Sequence, residues 1–165
     1  MMLQKCNILP VLLAIFCFSL VTGCQSETHP ETARNEPSHE QPATGDLREP
    51  TAVGELPSFL GDFPAEVGRI YQEVSKHTDL IDKMPCYCGC GESVGHRSNL
   101  DCFIHRHTKD QMVWDSHATT CGVCLEIADE AIQMKKDGKS DKEIRKIIDQ
   151  KYAEGYAEPT PTPEP

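Results

Sequence analysis

One stretch constrains this chain more than any other: Met84 to Glu92, reading MPCYCGCGE. Cys86, Cys88 and Cys90 take alternate positions, and an extended backbone turns alternate side chains to the same side. Three sulfurs therefore face one way and Tyr87 the other. Neighbours in a Cys-x-Cys unit do not readily bond to each other, so each sulfur needs a partner elsewhere or a metal. Gly89 and Gly91 carry no Cβ and let the backbone curl around whatever the sulfurs hold. Pro85 fixes the backbone at the start of the segment.

A second thiol group, Cys121-Gly122-Val123-Cys124, lies downstream. On a helix with 3.6 residues per turn, positions 117, 121 and 124 share one angular sector. His117, Cys121 and Cys124 would then point inward together. The pattern predicts a helix from about His117 to Lys136, with Ile127, Ala128, Ala131 and Ile132 on its apolar face. Gly138 ends it after Lys135 and Lys136. Ser140 and Glu143 form a capping-box pattern, followed by a stripe of Ile144, Ile147, Ile148 and Tyr152. An earlier helix follows Pro64, with Val67, Ile70, Tyr71 and Val74 at helical spacing, fraying near His77. Strand signals are nearly absent. The expected fold is mainly α: a small helical bundle with a Cys-rich irregular segment from Pro85 to about Asp115 packed on it.

The ends of the chain speak to its location. Lys5 precedes an apolar run from Ile8 through Val21, closed by Leu20-Val21-Thr22-Gly23-Cys24. This is the layout of a secretory signal peptide, and its ending resembles a bacterial lipobox. The resemblance implies cleavage after residue 23 and a lipid on Cys24, holding the chain to the outer side of the cell membrane. Residues 24–55 are rich in Pro, Glu, Thr and Ser, and read as a disordered tether. Residues 56–156 form the folded Cys-rich domain. Residues 157–165 read as a Pro-rich disordered tail of polyproline character. Of nine cysteines, Cys6 and Cys17 leave with the signal and Cys24 is the anchor. Six remain for the domain, in a compartment that permits disulfides.

A domain this small has a marginal core, which metal or disulfides often supplement. The formal charge of −10 argues against nucleic acid as a partner. Cys86, Cys88, Cys90, Cys102, Cys121 and Cys124 with His117 are the candidate ligands, joined by Met112 as a candidate thioether that also suits packing beside Val113 and Trp114. His96 reads as a donor behind the ligands. His105 and His107 suit the surface as well as a metal.

PCYCGC, Gly95-His96, Asp101-Cys102-Phe103, Trp114, His117 and CGVC together resemble the bacterial PCYCGC-motif lipoproteins, over roughly residues 57–153. That resemblance implies a lipid-anchored domain outside the membrane with suspected metal binding and no established reaction. From Cys121 onward, the retained Gly138, Lys139, Ser140, Asp141, Glu143, Ile144 and Tyr152 look like the helical domain of thiol-disulfide proteins of cytochrome c maturation.

Three readings stand. In the first, a soft-metal site binds Cu(I) ahead of Zn(II) for capture, storage or delivery to a metal-transport or metalloenzyme partner. In the second, disulfides staple a structural or interaction domain. In the third, Cys121 and Cys124, with His117 as base, exchange disulfides. No carboxylate pair, phosphate loop or serine triad offers a different enzymatic chemistry.

Overall fold

The computed structural model describes residues 45–165. The signal peptide, Cys24 and the first part of the expected tether lie outside the described residues. The apolar stripes expected after Pro64 and before Gly138 form where their spacing places them. α1 (Ala65–Lys76) buries Val67, Ile70, Tyr71 and Val74, with Pro64 at its N-cap. α2 (Thr78–Ile81) is one short turn that buries Leu80 and Ile81. α3 (Cys90–Ser93) is equally short and sits within the Cys-rich segment. α4 (Gly122–Lys136) buries Cys124, Ile127, Ala128, Ala131 and Ile132. Gly138, with φ +87°, lets the chain leave α4 in the left-handed region. α5 (Asp141–Lys151) begins with the full reciprocal capping box of Ser140 and Glu143. It buries Ile144 and Ile148, but Ile147 is 38% exposed, so the stripe is narrower than its spacing predicts.

The expected mainly α bundle is corrected by a sheet. β1 (Arg48–Ala52), β2 (Ile104–His107) and β3 (Gln111–Asp115) pair antiparallel in the order β1-β3-β2. The domain is a mixed α/β fold. β2 and β3 form a hairpin closed at Thr108, whose amide donates to the Gln111 carbonyl at 2.8 Å. β1 reaches across about sixty residues of sequence, pairing Glu49 with Trp114 and Thr51 with Met112. Pro50 is tolerated because β1 is an edge strand. This strand falls inside the stretch 24–55 read as a disordered tether, so the folded domain begins earlier than residue 56. None of the three strands shows clean alternation: β1 holds a proline, and β2 has only Ile104 buried. Their pairing is non-local, and local periodicity cannot report it.

Aromatic rings join sheet to helices. The Tyr71 ring packs edge-on against Phe103 at 4.9 Å and tilted against Trp114 at 5.9 Å between centroids. Its hydroxyl donates to the Asp115 carbonyl at 2.8 Å. Glu49, in β1, is buried and accepts from the Ser58 amide at 2.7 Å and the Ser58 hydroxyl at 2.9 Å. A buried carboxylate is tolerated there because donors meet it.

Trp114 is 1% exposed and donates from Nε1 to the Thr51 hydroxyl at 2.9 Å. Thr51→Val leaves that indole N–H without its partner and should cost about 1–2 kcal/mol. Urea unfolding followed by the fluorescence of the single tryptophan measures it. A residue in a disordered tether would leave the midpoint unchanged.

Candidate metal and thiol centre

The six domain cysteines come together, and none is in a disulfide. Three separate segments deliver them. The loop before α3 carries Cys86 and Cys88, and Cys90 is the first residue of α3. Cys102 closes a 3₁₀ turn, Leu100–Cys102, just before β2. Cys121 is the N-cap of α4 and Cys124 lies in its first turn.

Cys124 is the hub. Its Sγ lies 3.1 Å from Cys121, 3.4 Å from Cys86, 3.5 Å from Cys102 and 3.7 Å from Cys88. Cys86 is also 3.2 Å from Cys88, and Cys90 is 3.7 Å from Cys102. A disulfide would hold each sulfur at about 2.0 Å from one partner. Here one sulfur touches four others at hydrogen-bonding range, a shared arrangement instead of three pairs. The donor atoms fall into four overlapping groups, each within 4.8 Å: Cys86/Cys88/Cys90, Cys86/Cys102/Cys124, Cys88/Cys121/Cys124, and Cys90/His96/Cys102/His117. Cys86, Cys90, Cys102 and Cys124 are buried, while Cys88 and Cys121 are partly exposed.

The expected route of convergence is corrected in detail. His117 does not share a helix face with Cys121 and Cys124, because it sits in a 3₁₀ turn, His117–Thr120, and α4 starts at Gly122. The sheet places it instead. Asp115, at the end of β3, accepts the His117 amide at 2.9 Å and Arg48 Nε at 3.1 Å. Just before β1, Leu47 exchanges bonds with Ser116, and Asp46 Oδ2 lies 3.3 Å from His117 Nδ1. The start of the domain is thus one wall of the centre.

The two glycines of the motif have different reasons. Gly89 has φ +88°, and it turns the chain so that Cys90 swings back toward Cys102. Gly91 is closely covered: a Cβ there would lie 3.0 Å from Thr160 Cγ2 and 3.4 Å from the His96 carbonyl, so its neighbours would have to give way. Thr160 belongs to the stretch 157–165 expected to be a disordered tail. That stretch lies along the motif. Cys86 N–H donates to Thr160 Oγ1 at 2.9 Å, Thr160 N–H to the Cys86 carbonyl at 3.1 Å, and Ala157 N–H to the Tyr87 carbonyl at 3.0 Å. Tyr87 does face away from the sulfurs, stacking on Tyr152 at 5.5 Å and donating to Asp149 at 2.7 Å.

His96 contributes more than the sequence suggested. It is buried, with Nδ1 3.3 Å from Cys102 Sγ and its ring edge-on to His117 at 4.8 Å. Its only sequence signal was its place after Gly95, just past the thiols. Asn99, not singled out in sequence, fastens the loop: its amide donates to the Met84 carbonyl at 2.8 Å and its Nδ2 to the Cys124 carbonyl at 3.2 Å. Met112 is buried in β3 as part of the hydrophobic core, a packing position. His105 and His107 are exposed on β2.

The protons are unevenly shared. Hydrogen bonds from Cys121 and Cys124 hold the Cys88 thiol well below the usual range. Hydrogen bonds from Cys124 and Cys86 do the same for Cys102. The donors pay the converse: Cys124 and Cys90 are pushed up, chiefly by their bonds to Cys102. His117 is raised to about 9, first by its bond to Cys88. Burial pulls His96 down, but the bond and charge of Cys102 raise it overall. Lowered and raised groups thus sit side by side: Cys88 and Cys102 are pushed down, and the imidazoles of His117 and His96 that bond them are pushed up.

Among known proteins, residues 12–165 match a family described as proteins of unknown function with a PCYCGC motif. No curated protein and no solved structure matches the chain, so the similarity of its last part to cytochrome c maturation proteins finds no counterpart there.

Thr160→Val removes the acceptor of the buried Cys86 amide. Exchange of that amide for deuterium should quicken by about tenfold or more, the weight of one lost hydrogen bond. Unchanged exchange would mean that the tail does not hold the motif.

Proposed function

Since the chain belongs to the family of proteins with a PCYCGC motif, whose function is not established, we propose a role from its own sulfurs: a soft-metal-binding protein that holds Cu(I) in preference to Zn(II). The observation that carries this is Cys124, whose sulfur lies within 3.1–3.7 Å of four others and is bonded to none. Thiolates are the ligands of Cu(I) and Zn(II), and the softer ion gains more from sulfur. A single tetrahedral ion uses four ligands. Six sulfurs with shared contacts offer more than one ion can take, and they suit thiolates that bridge several Cu(I) ions. The buried position of four of them keeps water away from bound metal.

The role is capture, storage or delivery of metal at the outer face of the cell membrane, through the lipid proposed for Cys24. Cys88 and Cys121, the two partly exposed sulfurs, are where metal would pass to or from a transporter or metalloenzyme partner. A second reading has one observation in its favour. Cys121 at a helix start and buried Cys124 lie 3.1 Å apart, a spacing from which a dithiol could exchange disulfides.

The test is titration of the reduced protein with Cu(I), without oxygen, against a competing chelator. More than two Cu(I) per chain are expected, and Cys124→Ser should cut that number at least by half. Binding of one ion or none, or recovery of three disulfides from the native protein, would remove the metal reading. Cys121→Ser separates the second: loss of disulfide exchange with metal capacity intact would favour it.

Bound metal must displace protons from thiols and imidazoles. Affinity should fall as pH falls, about tenfold per pH unit for each proton displaced. Metal retained after dialysis at a series of pH values measures the slope.

A further inference from the structure

The four donor groups are not alike. Three contain sulfur alone, while the fourth, Cys90/His96/Cys102/His117, has two sulfurs and two imidazoles. This difference goes beyond a general affinity for soft metal and rests on the metal reading given above.

We propose that the centre holds two different kinds of metal position: a sulfur-only lobe of Cys86, Cys88, Cys121 and Cys124 that takes Cu(I), and a Cys90–His96–Cys102–His117 corner that takes Zn(II). Two edges of the corner come close to those of a tetrahedral ion, and all four donors lie within 4.8 Å of one another. With Zn–S of about 2.3 Å and Zn–N of about 2.0 Å, the edges of a tetrahedron are about 3.8 Å between sulfurs and about 3.5 Å between sulfur and nitrogen. Cys90 and Cys102 are 3.7 Å apart, and His96 Nδ1 is 3.3 Å from Cys102 Sγ. No other described group brings nitrogen donors to the sulfurs.

Charge points the same way. Cys90, His96 and Cys102 are buried. Two thiolates and a divalent ion sum to zero there, whereas a monovalent ion would leave an unmatched buried charge, which is costly. The sulfur lobe is different, since Cys88 and Cys121 are partly exposed and can carry leftover negative charge in contact with water. Thiolate-only sites select Cu(I), and imidazole suits zinc.

The outer arrangement around His117 is that of a zinc ligand. Its Nδ1 faces Asp46 Oδ2 at 3.3 Å, so Nε2 is the nitrogen that would meet metal, in place of the ring's bond to Cys88. A carboxylate on the far nitrogen fixes ring and tautomer in such sites. In turn Asp115 holds the His117 backbone at 2.9 Å. His96, in this arrangement, is a ligand in its own right.

The full chain, reduced and without oxygen, is given Cu(I) and Zn(II) together and then dialysed. One Zn(II) should remain per chain beside several Cu(I). X-ray absorption at the zinc edge of this unaltered protein should show two sulfurs at about 2.3 Å and two nitrogens at about 2.0 Å. His96→Ala should lower retained zinc at least tenfold and leave the Cu(I) count unchanged. Cys121→Ser should do the reverse, lowering Cu(I) and sparing zinc. Complete displacement of zinc by Cu(I), an all-sulfur zinc environment, or equal losses of both metals in the two variants would overturn the two positions while leaving metal binding intact. Retention of neither metal would overturn both readings.

Discussion

Sulfur crowding at Cys124 is the constraint on which the rest of the domain depends. Four sulfurs within 3.1–3.7 Å of one atom cannot all be ionised, because like charges at such range in a dry interior repel strongly. The fold eases this by setting an imidazole beside each of two thiols, His96 beside Cys102 and His117 beside Cys88. Bound metal would ease it differently, exchanging thiol protons for cations. Either way the cluster must be held by parts of the fold that do not move with it. That explains why so many elements end at this point: the loop before α3, the turn before β2, the end of β3, the start of α4 and the last residues of the chain.

Each of those elements is anchored away from the sulfurs. Tyr87 ties the motif to α5 through Tyr152 and Asp149. Asn99 ties it to α4 through the Cys124 carbonyl. The last residues bind both backbone groups of Cys86, and Gly91 leaves them space. At the other side β1 secures Asp115 through Arg48 and brings Asp46 to His117. The sheet therefore serves the centre, since without β1 the imidazole would lose its carboxylate.

What the sequence could tell followed from how local each feature is. The helix stripes of α1, α4 and α5 and the capping box were legible because residues three and four apart meet on the same helix face. Alternation placed Tyr87 opposite the sulfurs, and the cysteine count named all six thiols of the centre. His117 was named too, though for a helical reason that does not hold. The sheet was missed because β1 carries a proline and β2 a single buried residue, and because β1 meets β3 only across the chain. Pro- and Glu-rich composition near both ends suggested disorder, yet residues there gain order from partners far away in sequence.

The sequence by itself determined which atoms could meet: six thiols, the imidazole of His117, and glycines where the chain must bend. Residue type fixes donor chemistry, and no fold can alter it. Only the tertiary structure decided how those atoms are shared. It set Cys124 at the centre, brought His96 beside Cys102, and gathered His96 and His117 with Cys90 and Cys102 into one donor group. Distances between segments depend on packing across the whole domain, from Asp46 at one end to Thr160 at the other, and no local pattern carries that information.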